Sequence, residues 1–109
     1  MASMPGMTMS AGGGQGSGAG SAPVAANAVT IKGFAFVPAA ITVKAGTTVT
    51  WTNQDSDAHT VTSQHGSGPL GSTALNTGQS YSYTFTKLGT YSYLCTIHPF
   101  MTATVTVTP

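Results

Sequence analysis

From Val29 to Val107 the chain repeats one local pattern, short runs in which apolar and polar side chains alternate. Val29-Thr30-Ile31-Lys32, Ile41-Thr42-Val43-Lys44 and Val49-Thr50-Trp51-Thr52-Asn53 follow it. So do Tyr81-Ser82-Tyr83-Thr84-Phe85, Tyr91-Ser92-Tyr93-Leu94-Cys95 and Val105-Thr106-Val107. A strand sends successive side chains to opposite faces, so each run offers one face to a core and the other to water. Gly46, Gly78 and Gly89 punctuate the runs. No segment of helical length carries a helix-like apolar repeat. The pattern predicts an all-β fold of six or seven visible strands, a sandwich or a barrel. Trp51, Phe85, Tyr83 and Val49 are the expected core.

Residues 1–28 read differently. The run from Ala11 to Ser21 is almost entirely Gly, Ser and Ala, a flexible-linker composition. This segment is expected to be a disordered tail, with a reach as a coil of roughly 30 Å. Residues 29–109 then form one domain, small but long enough to bury a core.

Charge is scarce: Lys32, Lys44, Lys87, Asp55 and Asp57 are the only charged side chains among 109 residues, apart from histidine. A net charge of +1 provides no basic face for nucleic acid and no polybasic signal for a membrane surface. A partner is more readily met through an apolar patch. A single cysteine, Cys95, rules out an intramolecular disulfide and any structural zinc site built on two or more thiolates.

The chemistry is concentrated in Cys95-Thr96-Ile97-His98-Pro99-Phe100-Met101. A thiolate, an imidazole and a thioether stand at even spacing on one short loop, and a second imidazole, His59, opens another strand-like run upstream. Two His, one Cys and one Met are the ligand set of a blue-copper electron-transfer centre, where a trigonal plane with a weak axial thioether suits both Cu(I) and Cu(II). Alternation puts Tyr91, Tyr93 and Cys95 on one face of a strand, so a core position for the tyrosines turns Cys95 inward at the strand's end. Pro99 fixes one φ in the loop.

The alternatives are plainer. Cys95 could be an inert buried thiol or, with a histidine, a nucleophile lacking an evident orienting group. Met101 could be core, and His59 a satisfied non-ligand. His65, in Ser63-Gln64-His65-Gly66, reads as a solvated loop residue, or else as a rim residue near a copper pole or a replacement ligand. Pro99 and Phe100 either pack the loop or form an apolar docking patch around His98. Met4, Met7 and Met9 are soft thioethers of the kind that bind Cu(I), or part of an unstructured leader.

The run from Gly89 to Met101, with its short Cys-x-x-His-x-x-Met spacing and His-Pro-Phe-Met, resembles the copper loop of the cupredoxins, the type 1 blue copper proteins, and within them the plastocyanin- and amicyanin-like group. Phe36-Val37-Pro38, Gly46 through Asn53, and His59-Thr60-Val61 are similar to the first half of that group. The resemblance spans roughly residues 28–109. It implies a Greek-key β-sandwich of about seven or eight strands with one type 1 copper ion near one end. It implies His59, Cys95, His98 and Met101 as ligands and one-electron transfer, with no substrate-transforming site. Many relatives carry Asn after the first ligand histidine, tying the two ligand loops together. Here Thr60 has one hydroxyl in its place, so the tie to Thr96 is expected to be weaker or rearranged.

The expected function is a blue copper electron carrier, a monomer in the periplasm or another extracytoplasmic compartment. Redox partner proteins are expected to dock near His98, Pro99 and Phe100, and residues 1–28 to serve as an envelope tether. Two other functions fit the same residues: a copper-handling chaperone, store or resistance factor, and a cupredoxin module of a larger oxidoreductase.

Overall fold

The computed structural model describes residues 23–66 and 68–109. Met4, Met7, Met9 and most of the Gly/Ser-rich segment lie outside the described residues. Nine strands pack as two sheets, with a 3-10 turn at Gln64–Gly66 and no α-helix among the described residues. In chain order they are β1 (Val24–Ala25), β2 (Ala28–Ile31), β3 (Phe36–Val37), β4 (Ala40–Lys44), β5 (Thr47–Asn53), β6 (Thr62–Ser63), β7 (Ser80–Phe85), β8 (Gly89–Leu94) and β9 (Thr102–Thr108). One sheet runs β1-β4-β9-β8-β6 and the other β3-β2-β5-β7. Only β2–β3 and β8–β9 connect neighbours within a sheet; every other connection crosses between sheets, as a Greek-key sandwich requires.

All six alternating runs are strands, and their burial follows the alternation: β5 hides Val49, Trp51 and Asn53 and β9 hides Ala103, Val105 and Val107. The additional strands, β1, β3 and β6, have two residues each, too short for a period to show. Side chains from both sheets meet in one core of Val29, Ile31, Ile41, Val43, Val49, Trp51, Phe85, Tyr93, Val105 and their neighbours. Burying each such side chain contributes about 1.5–3 kcal/mol. Tyr83 and Tyr91 are half-buried and pack against this core from its margin.

At the centre the Trp51 indole N–H donates to the Tyr93 hydroxyl at 3.0 Å, and neither ring is exposed. The sheets open at the end where β2 and β5 finish side by side (Ile31 opposite Asn53) and where β8 gives way to Cys95. Both candidate ligand loops lie at that pole.

Burial pushes the Tyr93 phenol well above its ordinary value, against a smaller lowering by the Trp51 hydrogen bond. Above about pH 10 the unfolded chain loses this proton while the folded chain keeps it, so stability falls as pH rises. Urea unfolding of the metal-free protein is therefore expected to show a lower stability at about pH 11 than at about pH 9, with a smaller difference in Tyr93→Phe. At neutral pH Tyr93→Phe leaves the Trp51 N–H without a partner and should cost about 1–3 kcal/mol.

Candidate metal centre

The loop Cys95–Met101 closes the β8–β9 hairpin, and its own backbone holds it shut. The Cys95 N–H donates to the Met101 carbonyl at 3.1 Å and the Met101 N–H to the His98 carbonyl at 2.9 Å. Cys95 directly follows β8, on the same face as buried Tyr93, and is itself fully buried. Met101 is buried at the loop's far end.

His59 arrives from the other side. It precedes β6 and pairs with Leu75 in an isolated antiparallel bridge, exchanging backbone bonds of 3.1 and 2.7 Å. Asn53, at the end of β5 and fully buried, organises the approach to it. Its Nδ2 donates to the carbonyls of Asp57 (2.9 Å) and Leu75 (2.8 Å), and its Oδ1 accepts the Asp55 N–H at 2.8 Å.

Three donor atoms converge here. His59 Nδ1 lies 3.2 Å from His98 Nδ1, and Cys95 Sγ lies 3.7 Å from the first and 3.9 Å from the second. The point equidistant from all three is about 2.1 Å from each, within the roughly 2.0–2.3 Å that metal bonds to imidazole nitrogen and thiolate require. The donor set therefore fits a metal ion in both chemistry and size. Among the described residues, His59, Cys95 and His98 form the one such cluster of three. His65 is exposed on the 3-10 turn and is not part of this cluster.

Two of the three donors are braced from behind. The His59 Nε2–H donates to Asp55 Oδ2 at 2.8 Å, which fixes the tautomer that leaves Nδ1 with its lone pair. Asp55 also accepts the N–H groups of Gly33 at 2.8 Å and Phe34 at 2.9 Å. Burial would raise this carboxyl's pKa, but the hydrogen bonds from Phe34, Gly33 and His59 outweigh it and hold the value below the ordinary range. The Thr60 N–H points at Cys95 Sγ from 3.3 Å, a donor placed to favour the thiolate. His98 is freer: its side chain is 22 % exposed, and Asp57 Oδ2 lies 4.0 Å from Nε2, beyond hydrogen-bond length.

The tie between the loops runs through one hydroxyl. Thr60 Oγ1 accepts the Thr96 N–H at 2.9 Å and shares contacts with the hydroxyls of Thr96 (3.0 Å) and Thr62 (3.1 Å). The bridge is rearranged onto a hydroxyl and still joins the loop of His59 to that of Cys95.

No motif or spacing in the sequence marks Asp55, Asn53 or Phe34 as part of the site. Gly33-Phe34 between two strand-like runs is a hairpin signal that points to the turn, though not to what the turn covers. Around His98 the exposed apolar side chains are Phe34, Ile97 and Phe100, the last 71 % exposed with its ring centroid 6.1 Å from the His98 ring.

The model of the copper binding proteins of the plastocyanin/azurin family matches residues 23–108. The chain is 38% identical over 89 residues to amicyanin-alpha of Methylorubrum extorquens, covering 79% of this chain and 75% of that protein. Amicyanin from Paracoccus versutus superposes with a TM-score of 0.70 at 33% identity, covering 80% of this chain and 85% of that one. A Cu-containing nitrite reductase from Thermus scotoductus gives 0.70 at 31% identity, over 81% of this chain but 23% of that larger chain.

Thr60→Val keeps the volume and removes the hydroxyl, leaving the Thr96 N–H unpaired. The metal-free variant should lose about 1–3 kcal/mol in urea unfolding, and Thr60→Ser should retain most of the parent's stability.

Proposed function

This chain belongs to the plastocyanin/azurin family of copper-binding proteins, and from that membership and the donor geometry we propose that it is a blue copper electron carrier, shuttling single electrons between partner proteins. Its cofactor is copper, one ion per chain, in keeping with the family and with the His–Cys–His cluster. The observation that carries the reading is the triangle of two Nδ1 atoms and one Sγ, sized for a metal at its centre.

In this reading His59, Cys95 and His98 would hold the copper ion, with the thioether of buried Met101 as a fourth, weaker ligand. Bound copper supplies a one-electron Cu(I)/Cu(II) couple. The protein's contribution is to hold the three donors in one arrangement for both oxidation states. Asp55, by accepting the Nε2–H, turns the Nδ1 lone pair of neutral His59 toward the site, the Thr60 N–H stabilises the sulfur's charge, and the core excludes water from Cys95 and His59. The half-buried His98 ring would give the electron its route to the surface, and exposed Phe100, Pro99 and Ile97 would form the apolar surface met by a partner. The carrier acts as a monomer in the periplasm or another extracytoplasmic space. Its copper domain begins earlier than the alternating runs suggest, because β1 (Val24–Ala25) pairs with β4 and Ala28 opens β2; residues 23–109 form the domain and the residues before them serve as a tether.

One observation favours a second reading, a module of a larger oxidoreductase, since the matched part of the nitrite reductase is less than a quarter of that chain. The copper site would be built identically in either case.

Adding one equivalent of Cu(II) to the metal-free protein should produce an intense blue thiolate-to-copper absorption band, absent in Cys95→Ala. A colourless complex would overturn the assignment of Cys95 and favour copper handling over electron transfer.

A further inference from the structure

The turn between β2 and β3 approaches the donor cluster from a third direction. Lys32 and Ala35 close it with reciprocal backbone bonds of 3.0 and 3.2 Å, leaving Gly33 and Phe34 at its tip. Both tip residues have left-handed backbone angles, φ 63° and 56°, the conformation of a two-residue type I′ hairpin turn. Glycine adopts it freely. For a bulky aromatic residue it is strained, and Asn or Gly would serve the turn better.

Two contacts show why a strained ring occupies this tip. The N–H groups of Gly33 and Phe34 are gripped by the two oxygens of Asp55, the carboxylate that also holds His59 Nε2. The Phe34 ring then stands edge-on to both imidazoles, with centroids 5.5 Å from His59 and 5.1 Å from His98 at interplanar angles of 89° and 82°. His59 is already anchored by its hydrogen bond to Asp55. His98 has no equivalent anchor, its nearest carboxylate lying 4.0 Å away. Backbone strain kept at such a place points to a role in the site rather than in the turn.

We infer that Phe34 is a positioning residue for copper: clamped by Asp55, its ring keeps the His98 imidazole from swinging away from the shared centre and so slows release of the ion. This rests on the copper-carrier reading given above. Asp55 thereby braces one imidazole directly and the other through the turn.

The test loads the full chain with Cu(I) and follows release to the chelator bathocuproine disulfonate. Phe34→Gly removes the ring and relieves the strain, so release should accelerate about 10- to 100-fold while the melting temperature of the metal-free chain holds or rises. Phe34→Tyr keeps the ring and should release copper at the parent's rate. Equal rates in the parent and Phe34→Gly overturn the inference, and so does a Phe34→Tyr that releases as fast as Phe34→Gly. Faster release matched by a lower metal-free melting temperature also overturns it, since the turn would then be stabilising the fold alone. A parent without the blue band defeats the carrier reading itself; a parent with the band but unslowed release defeats only the role of Phe34.

Discussion

Three lone-pair donors aimed at one another inside a protein repel, and the rest of this structure is organised to hold them there. His59 and Cys95 are removed from water altogether, and His98 largely so. Left to themselves these side chains would turn to water or to hydrogen-bond donors, because burying polar groups without partners costs free energy. The fold prevents this at the two fully buried donors by occupying the back of each. Asp55 takes the outer nitrogen of His59, and the Thr60 N–H takes one lone pair of the Cys95 sulfur. A thiolate, two neutral imidazoles and a cation satisfy one another electrostatically, so metal binding also stabilises the folded state.

The sandwich makes this arrangement reproducible. β8 and β9 pair over six residues, from Gly89 opposite Val107 to Leu94 opposite Thr102, so the ends of the Cys95–Met101 loop have no freedom of register. β5 runs parallel to β2 up to Asn53 opposite Ile31, and buried Asn53 then directs the chain toward His59 through three hydrogen bonds. The two loops meet at the Thr60 hydroxyl, which bonds the Thr96 backbone between Cys95 and His98. A displacement of either sheet would reach the donors through that contact, so the rigidity of the site depends on the packing of both sheets.

The sequence announces the parts of this design that have a period or a spacing. Alternation marked every strand of four or more residues, and the parity of Tyr91, Tyr93 and Cys95 set Cys95 inward, although Tyr91 itself remains half-buried. The residues grouped by spacing and chemistry, His59, Cys95 and His98, converge in space. Two-residue strands leave no periodic trace, and β1, β3 and β6 owe their pairing to neighbours distant in the chain. Side-chain parity does not reach His59, which sits in an isolated bridge ahead of β6 rather than in a strand. Asp55 and Phe34 were invisible for a related reason. A carboxylate that grips a turn 21 residues upstream, and an aromatic ring resting on two imidazoles, are facts of tertiary contact with no local signature.

Charge scarcity acquires a meaning once the surface is placed. Of the two carboxylates, Asp55 is consumed inside the site, which leaves Asp57 as the exposed acid near His98. The outer face of β5 and β7 carries hydroxyl pairs that satisfy one another: Thr48 with Thr84, Thr50 with Ser82 and Thr52 with Ser80. Such a flank is wetted without being charged and offers a partner few unpaired groups. The copper pole instead presents Phe34, Ile97 and Phe100 around the one donor ring that reaches the surface. If partners meet this pole, as proposed, a net charge of +1 gives little long-range field to steer the encounter, and the association rate would depend on the short-range fit of apolar surfaces and only weakly on ionic strength. On the same proposal the contact would have to be released after each electron. A small apolar patch with one nearby charge suits a brief encounter, since a larger hydrophobic interface would hold the partner longer than a shuttle can tolerate.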